Sequence, residues 1–171
     1  KVRCFTGVWG IKMKKHGIIA AAICVAAATV STADEIESAG TGKGKAMNQV
    51  HQLGEGHMLI QMHTDYSSFE FEADGHPMTG MTGPCFGAIE INAGSVSGGG
   101  KCLYTDPEGD RVSMNWSAEG MTADGAMTGT WAVSGGTGKW MTARGAGTYA
   151  SLTNRDTGEN VNTVQGSISM P

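Results

Sequence analysis

Apolar and polar residues alternate along the chain from about residue 47 onward, the period-two signature of half-buried strands. In "HMLIQMHT", Met58, Ile60 and Met62 fall on one face and His57, Gln61 and His63 on the other, with Leu59 the exception. "FEFE" sets Phe69 and Phe71 against Glu70 and Glu72. The apolar parity changes from even to odd between these runs, so "TDYSS" must hold a bulge or a turn. Farther on, "RVSMNWSAE" aligns Val112, Met114, Trp116 and Ala118, and "AMTGTWAV" aligns Met127, Gly129, Trp131 and Val133. "ARGAGTYASLT" aligns Gly145, Gly147 and Tyr149, and "NVNTVQGSIS" aligns Val164, Gly166 and Ile168. Turn chemistry separates the runs at "ADGHP", "DPEGD", "MTADG" and "NRDTGE". About eight short strands with no long amphipathic helix predict a sandwich or a barrel. Glycines inside strands suit the tight coiling of barrel corners.

The segment before residue 47 reads differently. Met13-Lys14-Lys15-His16 is a short cationic start, Gly17 to Val30 is an unbroken small-apolar run, and Ser31-Thr32-Ala33 puts small residues before Asp34-Glu35. That order predicts a cleavable signal peptide over 13–33 with cleavage after Ala33. The run is short for a bilayer span, so no stable membrane span is expected after cleavage. Residues 1–12 read as an over-extended start or a remnant with no fold role. Cys24, preceded by Ile23, does not fit a lipoprotein site. Residues 34–46 ("DEIESAGTGKGKA") are polar and Gly-containing and predict a flexible N-terminal tail, with the barrel domain over 47–171.

Removing residues 1–33 leaves seven cations against sixteen carboxylates, a net charge of −9. So acidic a chain is a poor partner for nucleic acid or anionic lipid. Export to the periplasm or beyond makes a disulfide the default for the two remaining cysteines, Cys85 and Cys102. It would stabilise by about 3 kcal/mol in the chain-entropy model. If these cysteines face one another, Asn92 lies opposite Ser95 and Ala93-Gly94 is a two-residue hairpin loop. A longer loop through Ser97-Gly98-Gly99 is the alternative.

The most distinctive stretch, "SGGTGKWMTARGAGTY", does not match a phosphate-binding loop. Lys139 is followed by Trp140 rather than Ser or Thr, and more glycines stand where a helix should begin. A geometric reading fits better: Gly135 and Gly136 let the chain leave its strand, and a short turn around Thr137 to Met141 plugs a barrel end. With Cys85, Cys102-x-Tyr104-x-Asp106, Gly109-Asp110, Trp131, Gly135-Gly136-Thr137-Gly138-Lys139-Trp140 and Gly145-x-Gly147-x-Tyr149, the sequence resembles a group of secreted bacterial proteins similar to allene oxide cyclase and dirigent proteins. The resemblance covers roughly residues 47–170. It implies an all-β, closed antiparallel, eight-stranded calycin-like barrel holding a small, largely apolar ligand. Plant members of that superfamily cyclise an epoxide or steer radical coupling, often as oligomers. No catalytic residue transfers onto this chain from the resemblance.

Candidate chemistry is sparse. Asp106, Glu108 and Asp110 lack the spacing of a calcium loop and read as an acidic turn. His57 and His63 are six residues apart, about 20 Å along a strand, and Met58 and Met62 point away from both, so no metal is expected. The predicted interior, and the expected ligand pocket, comprises Met58, Ile60, Met62, Phe69, Phe71, Tyr104, Met114, Trp116, Trp131 and Tyr149. Soft thioether and aromatic walls favour an apolar or aromatic guest. The leading expectation is an exported barrel that binds such a molecule without catalysis and without a cofactor. A cyclase, isomerase or stereo-directing enzyme is the second, and a structural envelope protein with a filled barrel the third. Homo-oligomerisation is left open.

Overall fold

Period-two segments must bury one face, and a long run of them can do so by curling until the first strand meets the last. The computed structural model describes residues 34–170, and the expected signal peptide and residues 1–12 lie outside the described residues. Ten strands form: β1 (Glu35–Glu37), β2 (Gly40–Ala46), β3 (Gln49–Gly54), β4 (His57–Phe71), β5 (Gly83–Asn92), β6 (Ser95–Thr105), β7 (Arg111–Met121), β8 (Met127–Gly136), β9 (Arg144–Thr153) and β10 (Glu159–Ser169). Eight of them, in the order β2-β4-β5-β6-β7-β8-β9-β10, close into an antiparallel barrel because β10 pairs with both β9 and β2. β1 continues the barrel edge along the end of β10, and β3 lies beside the first half of β4.

The N-terminal segment corrects the expected tail. Residues 34–46 supply β1 and β2, and β2 is the strand that seals the barrel between β10 and β4. The reason lies in the alternation of Gly40, Gly42 and Gly44. A Cβ at Gly42 would stand 2.4 Å from the Phe69 ring, and one at Gly40 2.5 Å from the Phe71 ring. The glycines therefore form a bare floor on which inward-facing rings lie, while Lys43 and Lys45 point to water. Polar composition suggested disorder, whereas the missing side chains are what lets the strand dock.

The parity change in "TDYSS" is a bulge inside one continuous strand. Lys43 pairs with Ser68 and Gly44 with Tyr66, which leaves Ser67 unpaired and returns Phe69 and Phe71 to the interior. The cysteine hairpin has the expected register, with Cys85 opposite Cys102 and Asn92 opposite Ser95. Ala93 (φ 49°) and Gly94 (φ 85°) both sit in the left-handed region that a two-residue hairpin turn requires. The cysteines form a disulfide with their Cα atoms 4.0 Å apart.

One barrel end is filled. The 72–82 connection buries His76, Met78 and Met81, and the Gly-rich corner buries Trp140, beside fully buried Val112 and Ile168. Gly138–Trp140 is a single 3-10 turn. Its Trp140 Nε1 donates to Asp106 Oδ2 at 3.0 Å, and Lys139 Nζ lies 3.0 Å from Asp106 and 2.8 Å from Glu108. Asp106 Oδ1 accepts the backbone N–H groups of Glu108 (2.9 Å) and Asp110 (3.0 Å). The "DPEGD" turn and the "GGTGKW" corner are thus two halves of one latch.

Candidate functional site

Above this plug the barrel interior holds a cavity of about 70 Å³. Its floor and one wall are an aromatic column. His76 stacks on Phe71 with centroids 3.8 Å apart, and Phe71 on Phe69 at 6.3 Å. Phe69 meets Tyr104 edge-on at 4.9 Å, and Tyr66 meets Phe69 at 5.1 Å and Tyr104 at 5.9 Å. Offset and edge-on contacts of this kind hold rings in fixed orientations. The Cys85–Cys102 disulfide lies against the column, where the Tyr104 hydroxyl donates to Cys85 Sγ at 2.8 Å.

Two tryptophans on adjacent strands, Trp116 of β7 and Trp131 of β8, are directly paired. Their rings lie against glycine backbone: Trp116 at Gly87 of β5 and Trp131 at Gly166 of β10. Toward the other rim, half-buried Met62 of β4 and Met127 of β8 complete the apolar lining. Ser151, Asn162 and Tyr66 form its polar side. Asn160, buried behind them, accepts the Tyr66 hydroxyl at 2.9 Å and donates to Ser151 and Thr153, both at 2.9 Å.

Among the described residues, the titratable groups that line the cavity are tyrosines. Burial pushes Tyr66 up to about 12, against smaller opposing contributions from Ser151 and Asn162. Burial also raises Tyr104 and Tyr149, and the charge that Tyr66 would carry adds to both. All three are therefore neutral phenols that can donate a hydrogen bond and cannot serve as bases near neutral pH.

A Ser–His contact also borders the cavity, with Ser38 Oγ 2.9 Å from His76 Nε2. It is not an activated nucleophile. His76 Nδ1 accepts the Met78 N–H at 3.2 Å, so the ring proton sits on Nε2 and is donated to Ser38. Burial lowers His76 to about 4, which keeps the ring neutral. The strand histidines pair one by one with their neighbours: His57 with Glu90 at 2.5 Å, His63 with Asp65 at 3.2 Å and His51 with Gln61 at 3.1 Å. No group of three His, Cys, Asp or Glu that could hold a metal forms among the described residues.

Of the residues expected in the pocket, Met62, Phe69 and Phe71 of β4 line the cavity, as do Tyr104, Met114, Trp116, Trp131 and Tyr149. Met58 and Ile60 do not, a correction to the expected pocket. They share the inward face of β4 but lie where its neighbour is β3 rather than β2, outside the closed ring of strands. The alternation pattern missed Tyr66, which sits at the bulge where parity breaks. It also missed Ser38, because residues 34–46 read as a tail. Asn162 shares the parity of Val164 and was legible, but its polarity counted against it.

With this geometry in view, comparison with known proteins is informative about the fold. No protein-family model matches the sequence, and no curated protein matches it. Among solved structures, that of a pterocarpan synthase dirigent protein is similar, with a TM-score of 0.50 over 88% of this chain and 96% of that chain, at 11% identity. The barrel is dirigent-like. At that identity the likeness concerns the path of the backbone and assigns no role to any side chain.

Proposed function

We propose that this protein is exported, to the periplasm or beyond, and holds a small hydrophobic or aromatic molecule inside its barrel without catalysing a reaction on it. The observation that carries this reading is the cavity itself: aromatic and thioether walls, one plugged end, and a softer rim at Met62 and Met127. The neutral tyrosines support binding over catalysis, because acid–base work needs groups whose pKa values are driven apart toward the working pH. The disulfide supports an oxidising compartment.

Size sets a condition. About 70 Å³ is less than the roughly 150 Å³ of a cavity known to take benzene. A one-ring guest must therefore displace Met62 or Met127, the most adaptable side chains available. A guest at a hundredfold its Kd raises stability by about 2.7 kcal/mol. Thermal unfolding with increasing benzene or phenol should accordingly show a saturable rise in Tm. A Tm indifferent to both probes would favour a filled structural barrel.

The second reading, a stereo-directing or ring-closing enzyme, is favoured by the Tyr66 hydroxyl on the cavity's polar side and by the dirigent-like fold. It requires an enantiomeric excess in a coupling or cyclisation that is racemic without the protein. A racemic product in the presence of saturating protein rejects it.

A further inference from the structure

Trp116 and Trp131 make a natural comparison. They are a cross-strand pair with rings laid on glycine backbone, yet their indole N–H groups have different fates. Trp131 Nε1 donates to the carbonyls of Thr148 (3.1 Å) and Gln165 (3.2 Å). Trp116 Nε1 is buried and has no partner. Asn162 repeats the contrast on the polar side. Neighbouring Asn160 has its amide satisfied by Tyr66, Ser151, Leu152 and Thr153, whereas Asn162 Oδ1 is buried without a partner. These are the two buried side-chain polar atoms without partners among the described residues, and both side chains line the same cavity.

A buried donor or acceptor left without a partner keeps the full penalty of its lost hydration. One free donor from β7 and one free acceptor from β10, three strands apart around the ring, specify what would satisfy them. Building on the guest-binding reading above, we infer that Trp116 Nε1 and Asn162 Oδ1 form a polar recognition site that orients the guest by one neutral hydroxyl. The hydroxyl oxygen accepts from Trp116 and its proton goes to Asn162. Among the described residues no Lys, Arg, Asp, Glu or His lines the cavity, so a carboxylate would enter without a counter-ion. The chemical class is therefore an uncharged alcohol or phenol on an apolar body, discriminated from its hydrocarbon and its acid.

Calorimetric titration with phenol, benzene and benzoate tests this assignment. Phenol should bind at least tenfold tighter than benzene, and benzoate should not bind. Trp116→Phe and Asn162→Leu should each reduce the phenol preference severalfold while benzene still binds. In the unmodified protein, the Trp116 indole N–H resonance should shift further downfield with phenol than with benzene, and that readout survives if a variant fails to fold. Equal affinities for phenol and benzene, or an N–H that responds alike to both, would overturn the recognition site and leave guest binding intact. Failure of every probe to bind would overturn both.

Discussion

Two buried residues of the plug carry titrations that should shape stability against pH. His76 is held at about 4 by burial, against an ordinary value near 6.5 in the unfolded chain. Between these values the unfolded state binds a proton that the folded state refuses, so stability falls as the pH drops from about 6.5 to about 4. Burial alone would raise Asp106, but hydrogen bonds from Trp140, Lys139 and the backbone of Asp110 and Glu108 outweigh it and hold the carboxyl near 2. Its contribution is complete above the unfolded value near 3.8 and is lost as the pH falls from there toward 2. Urea unfolding across this range should show a plateau above about pH 6.5 and a two-stage decline below it. His76→Gln should flatten the first stage and leave the second. A single decline confined below pH 4 would show that His76 is not held neutral by the fold.

At the scale of elements, period two was enough to place β4 through β10, because each has one face in the core. The hairpin at Ala93-Gly94 was legible for a further reason: the cysteine pair and the turn chemistry demanded the same register. β2 was not legible, because its inward positions are Gly40, Gly42 and Gly44 and no apolar residue marks the buried face. What marks it is on another strand, in Phe69 and Phe71, which need a floor without side chains. The strand is therefore expected to tolerate change on one face only. Gly42→Ala should cost about 1–3 kcal/mol by overpacking against Phe69, while Lys43→Ala, on the exposed face, should stay within about 0.5 kcal/mol. Chemical denaturation of the two variants checks the contrast. Equal, small effects would mean that β2 is not pressed against the rings.

For the whole molecule, the most distinctive motif and the candidate site prove to be separate things. The Gly-rich corner with its Lys-Trp pair, which the sequence presents as a turn plugging a barrel end, works as the latch that closes that end around Asp106. The site lies above it, assembled from β4 through β10 and Ser38, the residue that follows β1, and no local run of sequence announces it. Pattern alone could supply the inward faces of Phe69, Tyr104, Trp116 and Tyr149. It could not supply the unmatched N–H of Trp116, which depends on how two rings settle on different glycines. The central claim is that the closed barrel keeps its interior for a guest. Native mass spectrometry of the protein as purified, then after equilibration with excess phenol, tests it most directly. The account predicts a one-to-one adduct of low mass that is lost on gentle activation and restored by phenol. A spectrum of bare protein in both conditions would contradict it.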